Sequence, residues 1–102
     1  MHAVLITGRT SASPAALAEW LARQAEASRG VPGLVMKTWL RDGDTLGGFH
    51  LFTTREAAEE YLASDLAASF AAHPALAACA VRHFAVLDEP SRATGTPHPL
   101  GE

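Results

Sequence analysis

The fold is decided by one stretch of the chain, PGLVMKTWLRDGDTLGGFHLFTTREAAEEYL at residues 32–62. Residues 34–40 alternate sides with β-favouring side chains, and a second apolar run, GGFHLF, follows at 47–52. Between these runs, RDGD at 41–44 consists of turn-forming residues. Two such runs joined by a short turn predict an antiparallel β-hairpin.

A helical region follows the hairpin. Thr53 with Glu56 three residues later has the pattern of a capping box, which predicts a helix that begins there. Ser64 is a second N-cap signal, where the helix can start again. The helical region ends before Pro74, because proline cannot continue the hydrogen-bond ladder of a helix.

The segments on either side of this stretch complete the fold. HAVLITG at 2–8 is a predicted strand, and residues 77–87 are another. Residues 14–28 are a predicted helix, because Ser13 can cap it and Pro14 suits its first position. The order strand, helix, strand, strand, helix, strand predicts a ferredoxin-like βαββαβ fold of the α+β class. It has a four-stranded antiparallel sheet with helices on one face.

Length and composition limit the organisation of the chain. Its 102 residues leave room for one domain, which we place at 1–88. Residues 89–102 contain three prolines, two glycines and few apolar side chains. This composition predicts a C-terminal tail that is either disordered or an arm onto a dimer partner.

Charge and hydropathy exclude several classes of partner. The net charge of −3 gives no basic field for nucleic acid or an anionic membrane. The sequence has no apolar run of the roughly 20 residues that a bilayer span needs, and no signal peptide, so we expect a cytoplasmic protein. The single cysteine, Cys79, excludes an internal disulfide, and we expect it to be a small buried side chain.

The sheet face opposite the helices needs a cover. We expect apolar residues such as Val35 and Phe52 on this face, and a chain of this size leaves much of its surface exposed. Packing of two sheets against each other would bury that face. The sequence therefore predicts a homodimer.

Residues 32–62, together with RHFAVLDEPS at 82–91, resemble the YdhR-like monooxygenases of the dimeric α/β-barrel superfamily. The shared features are a Pro-Gly-Leu opening, a Lys-x-Trp strand, a double glycine, an aromatic-Leu-Phe strand and a helix of Glu-x-Ala-Tyr-Leu character. The matching positions are Lys37, Trp39, Gly47, Gly48, Phe52, Ala57, Tyr61 and Leu62. The resemblance covers residues 2–92 and implies the dimeric α/β-barrel fold and oxygenation without an obvious cofactor.

The resemblance brings no established catalytic set with it. Relatives of the family include quinone-forming oxygenases, proteins like muconolactone isomerase and haem degraders. This chain departs from the family pattern at His50, where tyrosine is frequent, and at Thr53, where an acidic residue is common.

The hairpin itself collects residues that can do chemistry. A turn at 43–44 places Lys37 opposite His50 and Trp39 opposite Gly48, although a shift of one residue would move one strand's set to the other face. With the first register, one sheet face carries Lys37, Trp39, His50 and Phe52.

Three residues are candidates for catalysis. His50 suits a general base because the pKa of imidazole lies near neutrality, and His83 is a second candidate. Lys37, the only lysine, lies in an apolar strand and could steady an anionic substrate. The alternatives are a hydrogen-bonded structural histidine at 50, an exposed one at 83, and a lysine that protects a sheet edge.

An aromatic set is the expected wall of a substrate site. Its members could hold a flat ring and exclude water, although simple core packing would explain each of them too. They are Trp39, Phe52, Tyr61 and Phe70.

The sequence has neither a phosphate-binding glycine loop nor histidines at metal-ligand spacing. We therefore expect no cofactor and no metal. Joined to the cluster on the hairpin, the family resemblance implies a cofactor-independent monooxygenase, an oxidoreductase that oxidises a small phenolic or polycyclic aromatic substrate with dioxygen. An isomerase or cyclase that uses the same pocket, and a dimer that only binds a small apolar ligand, are the alternatives.

Overall fold

The computed structural model describes residues 1–98, in which four strands form one antiparallel sheet with the strand order β2-β3-β1-β4. The elements are β1 (His2–Arg9), α1 (Pro14–Ser28), β2 (Leu34–Asp42), β3 (Thr45–Phe52), α2 (Arg55–Leu62), α3 (Asp65–Ala71), β4 (Ala77–Ala85) and α4 (Asp88–Ala93). This arrangement confirms the predicted ferredoxin-like α+β fold.

Short polar side chains begin three of the helices. Ser13 caps α1 by accepting the Ala16 N–H at 3.1 Å, and Ser64 caps α3. The cap of α2 is Thr54, whose hydroxyl accepts the Ala57 N–H at 3.0 Å. The predicted cap at Thr53 is therefore wrong by one residue, because Thr54 has the extended backbone that a cap requires.

The β2–β3 hairpin has the register that the turn predicts. Lys37 pairs with His50 and Trp39 pairs with Gly48. Gly43 has a φ of +54° at the turn, a conformation that glycine adopts without strain. Because paired residues point to the same side of a sheet, Lys37 and His50 share one face.

The core lies between the sheet and the helices. It is formed by buried side chains from β1, β3, the helices and the segment before β4, namely Val4, Ile6, Leu17, Leu46, Phe52, Ala58, Tyr61, Phe70 and Leu76. Phe52 is fully buried on this side. The expectation that Phe52 lies on the open sheet face is therefore wrong, since Phe52 and His50 are two residues apart and share a face.

The opposite sheet face is less covered. Leu40 and Phe84 lie on it and keep 43% and 41% of their surface exposed. All nine residues of the edge strand β4 are exposed, including Cys79. The expectation that Cys79 is buried is therefore wrong, because it lies on a strand at the edge of the sheet.

The C-terminal segment forms structure that the sequence did not predict. Residues 88–93 are the short helix α4, and the amino group of Met1 contacts the Asp88 carboxylate at 3.2 Å. Residues 99–102, the end of the predicted tail at 89–102, lie outside the described residues. The division into a domain at 1–88 and a tail stays a prediction.

None of the helices within residues 1–98 combines the length and the apolar character that a bilayer crossing requires. The same residues contain no group of three or more His, Cys, Asp or Glu side chains placed to hold a metal ion.

Candidate functional site

A small cavity lies between the helix-facing side of the sheet and the helices. The space open to the centre of a water molecule is about 10 Å³, roughly the room that one water needs. Its lining combines two polar side chains with an apolar and aromatic wall and consists of Ile6, Lys37, Trp39, Gly48, His50, Tyr61 and Phe70.

His50 presents an unpaired nitrogen in this region. Its side chain is buried, and its Nδ1 lies 3.3 Å from the carbonyl oxygen of Val4. Because a carbonyl only accepts hydrogen bonds, Nδ1 carries the hydrogen and Nε2 carries the lone pair. Nε2 is buried and has no hydrogen-bond partner among the described residues.

The charge state of His50 follows from its surroundings. Burial and, to a smaller extent, the positive charge of Lys37 lower the pKa of the imidazole to about 4, against an opposing effect of the Val4 and Gly48 carbonyls. His50 is therefore neutral at physiological pH, with a free lone pair.

Lys37 supplies a cation without a carboxylate partner. Its Nζ lies 3.3 Å from the Ser28 hydroxyl, and no ion pair among residues 1–98 includes it. The same atom lies 3.9 Å from the ring centroid of Trp39 and about 6 Å from those of Tyr61 and Phe70. Burial lowers the pKa of the amine to about 8.

Aromatic side chains from three elements form the rest of the wall. Tyr61 of α2 lies against His50, with ring centroids 5.3 Å apart. Phe70 of α3 is held between Trp39 at 6.3 Å and Trp20 of α1 at 5.3 Å. The structure thus brings together Trp39, Tyr61 and Phe70, three of the four predicted wall residues.

Phe52, the fourth predicted wall residue, does not line the cavity. Its ring is nearly parallel to that of His50, with centroids 6.2 Å apart and 6° between the planes. It therefore packs behind the imidazole and helps to fix its orientation.

Gly48 leaves the space that the cavity occupies. A Cβ atom at this position would lie 3.1 Å from His50 Cε1 and 3.5 Å from Lys37 Cε. The lack of a side chain at position 48 thus leaves a gap between the imidazole of His50 and the side chain of Lys37.

His83 is placed elsewhere. It lies on the exposed strand β4, where its Nδ1 is 2.8 Å from His2 Nε2, and it does not line the cavity. The two histidines border a surface groove near Arg55 instead. Of the three predicted catalytic residues, the structure brings only Lys37 and His50 together.

Ser28 and Gln24 are polar residues that the sequence analysis missed. Both are buried on α1, where the Ser28 hydroxyl donates to the Gln24 carbonyl at 2.7 Å and so offers a lone pair to Lys37. The Gln24 Oε1 atom is buried and has no hydrogen-bond partner within residues 1–98. The sequence did contain a signal for these two residues. Gln24 and Ser28 lie on the same helix face as Leu17 and Leu21, where polar side chains interrupt an otherwise apolar stripe.

An open groove adjoins the cavity. It has a volume of about 650 Å³ and runs between α1 and β2. Lys37 and Trp39 line both the groove and the cavity, so these two side chains separate the enclosed space from the outside.

The comparison with protein families matches residues 8–97 to the family described as "Putative mono-oxygenase ydhR". The chain belongs to this family. Membership supports a monooxygenase-like function and agrees with the predicted resemblance. A comparison with curated proteins gives no match.

Solved structures that the chain resembles share its fold. SnoaB, a cofactor-independent oxygenase from Streptomyces nogalater, is 22% identical with a TM-score of 0.67, over 86% of this chain and 97% of that one. A protein of unknown function from Nitrosomonas europaea is 24% identical with a TM-score of 0.70, over 84% and 88%. The haem degrader MhuD from Mycobacterium tuberculosis, solved with two haems in its active site, is 16% identical with a TM-score of 0.66, over 85% and 96%.

Proposed function

We propose that this member of the ydhR family is a cofactor-independent monooxygenase that oxidises a small phenolic or polycyclic aromatic substrate with dioxygen. The observation that carries the proposal is the neutral, unpartnered Nε2 of His50 beside the Lys37 ammonium in an aromatic-lined cavity. A base, a cation and flat apolar walls are the groups that such a reaction needs from the protein.

His50 is the proposed base. A substrate with an acidic O–H or C–H, such as an anthrone, places that hydrogen against Nε2 and gives up the proton. A neighbouring substrate anion raises the pKa of the imidazole above its value in the empty site, since opposite charges favour the protonated form. The ammonium of Lys37 stabilises the same anion.

The electrons for dioxygen come from the substrate. For an anthrone, the carbanion donates electrons to dioxygen and a carbon–oxygen bond forms. The resulting peroxide takes up a proton, and loss of water leaves a ketone. One oxygen atom enters the product and the other leaves as water, so that a CH₂ group becomes C=O without an external reductant.

Binding requires the cavity to open. Its present volume of about 10 Å³ admits no aromatic ring. Trp39 and Lys37 separate it from the large groove, so rotation of these two side chains joins the two spaces. Trp39, Tyr61 and Phe70 then hold a flat ring and exclude water from the anion.

A homodimer is part of the proposal. Leu40 and Phe84 lie exposed on the sheet face opposite helices α1 to α3. Packing of two such faces removes this apolar surface from water.

The experiment is oxygen uptake by chelator-treated protein with a panel of anthrones, using isotopically labelled dioxygen. We expect uptake with one labelled oxygen atom in each quinone formed. Turnover that continues under strict anaerobiosis would instead show an isomerase or cyclase. Activity that disappears with chelation and returns with a metal ion would contradict the cofactor-independent mechanism.

A further inference from the structure

We propose that Lys37 is an amine nucleophile that captures small aromatic aldehydes as a Schiff base from the groove between α1 and β2. This reaction is independent of the oxygenase function proposed above, because it uses neither dioxygen nor His50 as a base.

Lys37 is the only side-chain amine of the chain. The other primary amine of the described residues, the amino group of Met1, is paired with the Asp88 carboxylate at 3.2 Å. An aldehyde therefore meets one amine that is not paired with a carboxylate, and that amine is Nζ of Lys37.

The surroundings of Nζ increase the share of its neutral, nucleophilic form, while the ammonium remains the major form at neutral pH. The contacts of Nζ are the Ser28 hydroxyl at 3.3 Å and the aromatic faces of the cavity, with no carboxylate in an ion pair. Apolar burial without a counter-ion is a known way to activate a lysine. With its pKa lowered to about 8, roughly a tenth of the amine is unprotonated at neutral pH, against about one part in a few thousand for an ordinary lysine.

The groove determines which carbonyl compounds reach Nζ. Its volume of about 650 Å³ admits a single aromatic ring, and Lys37 borders it directly. Trp39 also borders the groove and supplies a face on which a flat ring stacks. The opposite wall on α1 combines the small side chains of Ala22 and Ala25 with the exposed Arg29–Glu26 ion pair, which leaves the wall open and without an unpaired charge. These features favour an uncharged aromatic aldehyde.

The chemistry balances without an oxidant. The ammonium first loses a proton to solvent in the groove. The amine lone pair then forms a carbon–nitrogen bond to the aldehyde carbon, and proton transfer gives a carbinolamine. Loss of its hydroxyl group as water, with a proton from solvent, leaves an iminium ion, which returns one proton to solvent to give the imine. One aldehyde and one amine thus give one Schiff base and one water.

The test is reductive trapping at neutral pH with benzaldehyde and cyanoborohydride. The number of benzyl groups is read by intact mass, and their position by peptide mapping. The reference is the same chain unfolded in urea, where position 37 is an ordinary lysine. We expect the native protein to be labelled at Lys37 about tenfold faster than the unfolded chain, because the gain in free amine exceeds the loss of nucleophilicity. Equal or slower labelling of the native protein would overturn the proposal.

Arg29→Lys provides a matched control within one molecule. Arg29 lines the same groove, but its side chain is 78% exposed and pairs with Glu26 at 3.3 Å, so a lysine introduced there is a solvated amine next to a carboxylate. We expect labelling at position 37 to exceed labelling at position 29 by about tenfold. Equal rates would show that the groove gives Lys37 no special reactivity.

A second variant tests whether the amine of Lys37 is the nucleophile. In Lys37→Arg the charge remains while the nucleophile is lost, so labelling at position 37 disappears in a chain whose folding is checked by circular dichroism.

Two measurements on the native protein distinguish this inference from the oxygenase proposal. A native protein that traps the aldehyde but takes up no oxygen with anthrones supports this inference and contradicts the proposed function. A native protein that takes up oxygen with anthrones but does not trap the aldehyde contradicts this inference and leaves the proposed function standing.

Discussion

Lys37 and His50 face each other across the β2–β3 pair, and in the structure of residues 1–98 neither forms an ion pair with a carboxylate. Burial lowers both pKa values, to about 8 for Lys37 and about 4 for His50. Between these two values the pair consists of one ammonium and one neutral imidazole. A fixed cation next to a free lone pair favours the formation of a substrate anion.

Replacement of the two candidate bases distinguishes between them. In His50→Phe we expect anthrone-dependent oxygen uptake to fall by roughly 10²- to 10⁴-fold, the usual contribution of a general base. The aromatic replacement keeps the stacking on Phe52 but removes the lone pair. His83→Phe changes a residue outside the cavity, and we expect a change of no more than a few fold. The measurement is the initial rate of uptake by both variants. A larger loss in His83→Phe would place the base on β4.

The buried imidazole also makes stability depend on pH. The pKa of His50 is lower in the folded chain, about 4, than the ordinary value of 6.5, so the unfolded chain binds more protons between these values. Stability is then full above pH 6.5 and falls as the pH decreases towards 4, by up to about 3 kcal/mol. Urea unfolding of wild type and His50→Gln across this range tests it. We expect the free energy of unfolding to fall less steeply with decreasing pH in the variant. His2 contributes to the fall that remains, because burial lowers its pKa too. Parallel curves would contradict this account.

Most of the fold was accessible from the sequence because the local signals agree with one another. The caps at Ser13 and Ser64 and the turn at 43–44 fix where elements start and stop. The helix α4 was not predicted, since its six residues are too short to show a periodic pattern. The prediction that Cys79 is buried was wrong because the sequence does not show that β4 is an edge strand that the helices do not cover.

The candidate site was accessible in part, for a similar reason. The register of the hairpin follows from its turn, so the pairing of Lys37 with His50 could be predicted. The contact of Lys37 with Ser28 could not, because it depends on how α1 packs over the sheet. The separation of His83 from the cavity likewise depends on three-dimensional packing, as does the small volume of that cavity.

Filling the gap at Gly48 should close the site without unfolding the protein. In Gly48→Ala the new Cβ lies 3.1 Å from His50 Cε1, so the imidazole must shift slightly, and 3.5 Å from Lys37 Cε, which is an ordinary contact that fills the gap. We expect oxygen uptake to fall at least about tenfold, because small misplacements of reacting groups are costly. Gly30→Ala is the matched control, since its Cβ has no atom within 4 Å, and its activity should stay at the wild-type level. Thermal unfolding of both variants is the second readout. Full activity in Gly48→Ala would show that substrate does not approach the His50–Lys37 gap.

The open sheet face predicts a dimer that a charge can disrupt. Phe84 points to this face from β4, whereas Val81 on the same strand pairs with Ile6 and points to the helix side. Both are similarly exposed in the single chain, at 41% and 46%. Sedimentation at micromolar concentration should show a dimer for wild type and for Val81→Glu, but a monomer for Phe84→Glu, because only the latter would replace apolar surface between the sheets with a carboxylate. If both variants dissociate, the two chains meet along the edge of β4 and not across the sheet face. A monomeric wild type would contradict the dimer itself.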